Sequence, residues 1–328
     1  MRMAVEPTIS PAQRAAPTRG LHIGERGSSA VREQRPARSS RQIVLRSAVE
    51  IDSIRAAGAL ASAALAAATE ACRVGATTAS IDAAAERAIR DGGGEPLFLG
   101  YRGSKANANA ADRPAYPAST CVSVNEELVH GVPGRRVICD GDLVAIDVGV
   151  RLDGWCADTA TTVAVGAVSR ERRAMLDCAE RMLAHAISAI APGRRWSRIV
   201  LELESIAEHA GLAVAADFVG HGIGRALHEA PQVPCTLSKA FLEHHDFTLR
   251  PGMVIAIEPM LVLEPPRRVG DDAHLVNPSC RLADDGWTVT VESGAPSCHV
   301  EHTVVVTRDG ARILTLPANA GSQLRRAG

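Results

Sequence analysis

Stretches with the apolar spacing of helices, followed by short apolar runs, occur twice along the chain. Ser47 to Cys72 has helical period and closes at Gly75, and Thr78 to Asp91 forms a second such stretch, stopped by Gly92-Gly93-Gly94. The runs Cys121–Val124, Asp142–Val150 and Trp155–Val165 follow. Asp153-Gly154 between the last two predicts a hairpin turn, because both residue types tolerate the positive φ of a two-residue loop. Then the order starts again. Ser169 opens a helix to about Ile190, stopped at Pro192-Gly193, and Ser197 caps another that reaches Gly211. Apolar runs at Met253–Met260 and Val300–Val306 complete the second round.

Helix, helix, strands, twice over, predicts an internal repeat. Gly141-Asp-Leu-Val-Ala-Ile-Asp147 aligns with Gly252-Met-Val-Ile-Ala-Ile-Glu258, each placing a carboxylate six positions after a glycine. Asp158-Thr-Ala-Thr-Thr-Val-Ala-Val165 likewise echoes Glu301-His-Thr-Val-Val-Val306. Such halves can pair about a pseudo-twofold axis with a ligand site between them.

Composition narrows the picture only at the ends. The 328 residues carry a net charge of −1, with 46% hydrophobic and 22% charged side chains, which excludes wholesale disorder and a whole-protein nucleic-acid binder. Residues 1–41 differ: eight Arg stand against three Glu, four prolines interrupt any helix, and no apolar period is visible. This reads as a disordered basic arm over residues 1–43, and a short tail is expected over 317–328. No run approaches the roughly 18 uninterrupted apolar residues of a membrane span. The nearest, Ala56–Thr69, is broken by Gly58 and bounded by Arg55 and Glu70, and reads as a buried helix. Eight cysteines without a CxxC pair suit reduced, mostly buried thiols and a cytoplasmic setting.

The chemistry lies in acids placed inside apolar runs. Asp147 sits between Ile146 and Val148, and Glu258 follows Ala256-Ile257. An isolated carboxylate moved to a low-dielectric interior costs several kcal/mol even after relaxation. One such acid would be read as facing solvent or pairing with Arg. Two at matched positions of a repeat, with Asp158 and Glu301 in the matched following strands, point elsewhere. Four converging carboxylates need multivalent positive charge, and divalent metal is the natural neutraliser. His221, in the glycine-rich Gly220-His-Gly-Ile-Gly224, is the expected nitrogen ligand, with His228 and His130 as further site residues. His302 directly follows Glu301, so alternation sends it to the opposite face. Carboxylates plus imidazole suit two adjacent ions such as Mn, Fe or Co, with Zn possible. Such a pair hydrolyses amides or phosphoesters, and the residues alone do not choose.

At these positions the chain resembles the type I methionine aminopeptidases of the pita-bread metallopeptidase fold, over about residues 44–316. The motifs are Ser119-Thr-Cys-Val-Ser-Val-Asn-Glu126, His130-Gly-Val-Pro133, Ile146-Asp-Val148, Asp158 eleven residues beyond Asp147, Gly220-His-Gly-Ile-Gly224, His228-Glu-Ala-Pro231, Ile257-Glu-Pro-Met260 and Glu301-His-Thr303. The resemblance implies an α+β fold of pseudo-twofold αα-β repeats, its antiparallel sheet surrounding a dinuclear metal site with helices outside. It implies Asp147, Asp158, His221, Glu258 and Glu301 as metal ligands, with Asp158 and Glu301 shared by both ions. It further implies removal of the initiator methionine from nascent polypeptides with a small second residue, through a metal-bridging hydroxide that attacks the first peptide carbonyl. Glu258 would relay a proton, His228 would bond the developing oxyanion, and His130 would contact the scissile amide. The short gap between His228 and Glu258 favours type I over type II.

The departures cluster at the methionine pocket. Tyr101, Tyr116, Cys121 and Trp287 match its wall, but Leu227 replaces an aromatic and Arg102 stands where His is common. Extra stretches occupy Ser104–Ala115 and roughly Pro265–Cys280. An Xaa-Pro aminopeptidase of the same fold and a non-catalytic binding module are the rival readings. The expected partner is the amino-terminal Met of nascent chains, with transient ribosome contact through the basic arm, no membrane, and a monomeric chain.

Overall fold

A computed structural model describes residues 42–103, 114–268, 275–276 and 278–318. The arm over 1–41, the first extra stretch over 104–113 and the tail beyond 318 lie outside the described residues.

Helix α1 spans Ala48–Ala71 and α2 spans Thr78–Asp91. Each opens with a capping box: Ser47 with Glu50 at α1, and Thr77 with Ser80 at α2. By length and composition α1 could cross a membrane, with a mean hydropathy of 1.3 over its most apolar window. Here 33% of that window is buried, so the helix expected to be buried is buried along one face only. Ile54, Ala57, Ala61, Ala64 and Ala68 are fully buried, most of them against the strands that carry Val144, Ile146 and Val148. Small alanines let the helix lie close to the sheet, and Gly58 meets the Leu314 carbonyl so tightly that a Cβ would collide.

The second pair is α3, Arg170–Ser188, and α4, Trp196–His209. Ser169 caps α3 as expected. The start of α4 differs from expectation: Arg195 is the N-cap and offers no side-chain hydrogen bond. Ser197 lies inside the first turn, where its N–H and hydroxyl donate to Asp246 at 3.1 and 2.7 Å. A carboxylate distant in sequence thus satisfies the orphan amide, and no local signal could reveal it.

The main sheet is antiparallel, in the order Glu95–Pro96, Leu143–Leu152, Trp155–Ala164, Glu301–Val306, Val254–Ile257, Gly220–Gly222, Glu229–Val233. Its four central strands therefore read first-half, first-half, second-half, second-half, with the two later members of each half paired in the middle. That order is what a twofold axis between Trp155–Ala164 and Glu301–Val306 requires. The matched glycines behave alike, with φ of 89° at Gly141 and 91° at Gly252. Their N–H groups donate to matched carbonyls, Val165 at 2.8 Å and Val306 at 2.9 Å. The return bonds, Val165 N–H to Asp142 and Val306 N–H to Met253, are both 2.9 Å. The repeat read from sequence is thus a repeat of hydrogen bonds. Asp153 (φ 50°) and Gly154 (φ 75°) form the expected hairpin turn.

The run expected over Met253–Met260 is split. Val254–Ile257 belongs to the main sheet, and Met260–Val262 pairs with Ser297–His299 in a smaller three-stranded one. Pro259, which has no N–H to give to a ladder, sits at the switch. The partner strand switches at Val300, between Ser297–His299 and Glu301–Val306. Both chains cross between sheets at one level, and the acids lie there.

Candidate active site

Strand pairing brings the four acids together. Gly149 lies opposite Asp158, and Ala160 lies opposite both Asp147 and Glu301. Thr303 clamps the central pair: its hydroxyl donates to the Asp158 carbonyl at 2.8 Å and accepts from the Asp158 N–H at 3.0 Å. Thr159 returns the favour across the axis, donating to the Glu301 carbonyl at 2.9 Å. Glu258 enters from the switch beside Pro259, 3.7 Å from His221 Nε2.

His221 reaches the acids because its neighbours have no side chains. A Cβ at Gly220 would strike the Ala256 carbonyl, and one at Gly222 the Ala230 carbonyl. His221 Nδ1 lies 3.0 Å from the Gly222 carbonyl, so Nδ1 carries the proton and donates. Nε2 is left as a free lone pair facing the carboxylates.

Burial and mutual repulsion disturb the acids strongly. Asp147 is pushed well above the usual carboxylate range by burial, then by Asp158 and Glu258. Glu301 is pushed well above by burial and the other three acids. Asp158 rises to about 6 through burial, with His221 opposing. Glu258 goes the other way: burial works against its charge, but His299, His221 and His130 hold it below the ordinary value.

These residues fit a divalent-metal centre on two grounds. Among the described residues, Asp147 Oδ1 and Glu301 Oε1 are buried without a hydrogen-bond partner, a costly state for carboxylates unless a cation completes it. The donors also fall into two groups whose ligand atoms all lie within 4.8 Å: Asp158, His221 and Glu301, and Glu258, His299 and Glu301. Glu301 belongs to both groups. Among the described residues no Lys or Arg is paired with any of the four acids; the ion-pair contacts are histidines.

His299 is the residue that sequence reasoning missed. It is 4% exposed, with Nε2 3.5 Å from Glu258 Oε2 and 3.8 Å from Glu301 Oε2. The signal was available: alternation that sends His302 away from Glu301 brings the residue two positions before Glu301 to its side. His302 does face away, 2.9 Å from the Thr315 hydroxyl through Nδ1.

The expected pocket residues fall in one apolar cluster that holds Tyr116, Cys121, Leu227 and Trp287, with Tyr101 packed on it. Tyr116 and Trp287 meet edge-to-face with centroids 5.2 Å apart. The Tyr116 hydroxyl donates to the Thr120 and Gly131 carbonyls, and the Trp287 indole donates to the Pro114 carbonyl at 3.0 Å. Cys121 pairs across the strands with Asp147, which joins the apolar cluster to the acids. Burial, with Asp147 second, keeps its thiol protonated. Of the extra stretches, Pro114 and Ala115 are described for the first. The second forms an antiparallel ribbon, Arg267–Arg268 on Leu275–Val276, with 269–274 outside the described residues.

His228 stands at the cleft mouth. Its loop is fixed by the Glu229 carboxylate, which accepts from the Arg225 and Ala226 N–H groups at 2.8 and 3.1 Å and pairs with Arg46. The residue is exposed, and its ring lies 4.4 Å from that of His221 between centroids, edge-on to it. Desolvation by the surrounding protein, with His221 and His130 nearby, holds it well below the ordinary imidazole range, so it stays neutral. His130 has a φ of 57°, uncommon outside glycine, and its ring packs edge-on against Phe218.

Residues 52–308 match metallopeptidase family M24. Methionine aminopeptidase 1 of Mycobacterium tuberculosis (strain CDC 1551 / Oshkosh) is 39% identical over 286 residues, spanning 85% of this chain and 97% of that protein. The crystal structure of methionine aminopeptidase from Thermotoga maritima superposes with a TM-score of 0.72 at 32% identity, covering 84% of this chain and 99% of that one. The prolidase from Pyrococcus furiosus shares the fold at a TM-score of 0.60 and 22% identity, covering 83% of this chain and 65% of that one. The expected pita-bread fold is the one found, and the chain belongs to metallopeptidase family M24 and, within it, to the methionine aminopeptidases.

Proposed function

We propose that the chain is a dinuclear metallo-aminopeptidase that removes amino-terminal methionine from polypeptides with a small second residue. The observation that carries this is the gathering of Asp158, His221, Glu258 and Glu301 into two ligand groups that share Glu301, with Asp147 paired across the strands to Cys121 of an apolar cluster that also holds Tyr116, Leu227 and Trp287, Tyr101 packed on it. Asp147, Asp158 and Glu301 would hold one ion, and Asp158, His221, Glu258 and Glu301 the other. Co, Mn or Fe are the expected metals, with Zn an acceptable fourth. Such ions supply polarisation of a carbonyl and an acidified water.

The side chains have separable roles. Glu258, beside His221 and His299, would accept a proton and pass it to the leaving amine. Tyr101 Oη lies 2.8 Å from His228 Nδ1. With that hydroxyl donating, neutral His228 carries its proton on Nε2 and offers it to the oxygen that gains charge. His130 would contact the scissile amide. The apolar cluster takes the thioether side chain and excludes water.

Residues 44–316 form the catalytic domain in this reading, with the basic arm before it and a short tail after it. A cytoplasmic setting agrees with eight free cysteines, and the arm would give a salt-sensitive contact with ribosomal RNA. The deciding experiment compares hydrolysis of Met-Ala-Ser with that of Ala-Pro-Ala by the metal-loaded chain. Preferred cleavage of Met-Ala-Ser is expected. Preference for Ala-Pro-Ala would move the chain to the Xaa-Pro side of the fold, and no cleavage of either would end the enzyme reading.

A further inference from the structure

The five-ligand set leaves one buried polar side chain of this site unexplained. His299 Nε2 is buried and, among the described residues, has no hydrogen-bond partner. It is aimed between Glu258 Oε2 at 3.5 Å and Glu301 Oε2 at 3.8 Å. Those separations are long for a charge-assisted hydrogen bond, which runs about 2.7–2.9 Å. They are ordinary for atoms that share a cation: donors about 2.0–2.2 Å from one ion lie up to about 4.4 Å apart. The donor atoms of Glu258, His299 and Glu301 all fall within 4.8 Å, so movements of a few tenths of an ångström close the set.

The backbone leaves His299 little freedom to be elsewhere. Thr162 holds it from both sides, its hydroxyl donating to the His299 carbonyl at 2.7 Å and accepting from the His299 N–H at 2.9 Å. Met260 pairs with it across the small sheet. The ring is thus delivered to the acids by the same sheet switch that delivers Glu258 and Glu301.

We propose that His299 is a sixth protein ligand of the centre, bound through Nε2 to the ion that Glu258 and Glu301 hold. The inference rests on the reading of this site as a divalent-metal centre. Its consequence is a more nitrogen-rich coordination than five ligands supply. Imidazole then reaches the centre from two sides, His221 in the group with Asp158 and His299 in the group with Glu258. Nitrogen donors favour Fe, Co, Ni and Zn over Mn, which prefers oxygen. The chain therefore discriminates against Mn more strongly than it would with an oxygen donor at this position.

The test counts imidazoles on the full chain loaded with Co(II) alone. Proton NMR in water is expected to show two contact-shifted, exchangeable imidazole N–H signals, of which one disappears in His299→Gln. In competition dialysis, His299→Gln is expected to lose about tenfold or more in Co(II) affinity at one position and clearly less in Mn(II) affinity. One imidazole signal in the loaded wild-type chain would overturn the proposal without needing the variant to fold. So would unchanged Co(II) affinity in a folded His299→Gln. Either result leaves the metal centre standing, whereas failure of the wild-type chain to bind any Co(II) would remove the centre and the proposal together.

Discussion

The two halves of the molecule match in backbone and differ in chemistry. Gly141 and Gly252 share one conformation and one pair of hydrogen bonds, and the strands they open end in Asp147 and Glu258. Yet the first half gives the acid cluster two carboxylates, Asp147 and Asp158, and acts on it through one imidazole, His130. The second gives two carboxylates and two imidazoles, His221 and His299, that group with them, and places His228 beside His221. The scaffolds also differ in bulk: alanines of α1 pack the first-half strands, while Met175, Met182, Trp196 and Leu203 fill the space under α3 and α4. A repeated backbone fixes where a side chain is delivered and leaves its identity free. One half can then supply chiefly charge and the other more of the imidazole.

The sharpest way to break the comparison is to remove matched acids. Asp158→Asn and Glu301→Gln should each lower kcat by about a thousandfold or more, the scale seen when a charge-stabilising group is lost from an active site. Equal losses would mark the two as symmetric partners. A loss confined to one, measured with a saturating amino-terminal Met peptide, would break the symmetry at its centre.

Next in size is the approach of His221. Gly222→Ala forces a Cβ into the Ala230 carbonyl and should cost about 2–4 kcal/mol of stability, read as a lowered denaturant midpoint. The matched turn glycines come third. Each residue has a φ near 90°, so Gly141→Ala and Gly252→Ala should each cost about 1 kcal/mol. Gly252→Ala should cost more, because its Cβ would sit 2.9 Å from the Arg46 carbonyl, against 3.4 Å from that of Ala167 at Gly141. The reverse order in melting temperature would contradict the packing around Arg46.

The smallest expected effect compares the helix starts of the second half. Ser169→Ala removes a local cap and Asp246→Ala a distant one, each for about 1 kcal/mol. They differ in pH dependence. Burial opposes the Asp246 charge, but hydrogen bonds from Ser197 and Arg195 win and lower its pKa below the ordinary 3.8. The unfolded chain therefore takes up this proton first. The Asp246 contribution is complete above pH 3.8 and lost as the pH falls below it, whereas the Ser169 contribution does not titrate.

Much of this was legible in the sequence, because the repeat announces itself through glycine and carboxylate spacing. The helices, the Asp153-Gly154 turn and the convergence of Asp147, Asp158, Glu258 and Glu301 all follow from local pattern plus the cost of burying charge. What was not legible depends on contacts between distant segments. Asp246 caps α4 from beyond any local window, and the Met253–Met260 run gave no sign that it would divide between two sheets at Pro259. His299 fell just outside the run read at Val300–Val306, in a separate strand before the switch, although alternation back from Glu301 pointed to it.

The central claim is that acids from both halves gather because divalent ions bind among them. It is tested most directly by calorimetric titration of the metal-stripped chain with Mn(II) or Co(II), beside the double variant Asp147→Asn, Glu258→Gln. The account predicts uptake of two ions by the wild-type chain, with peptide hydrolysis returning as they bind, and severely weakened uptake by the variant. Hydrolysis by the stripped chain, or full uptake by the folded double variant, would contradict it.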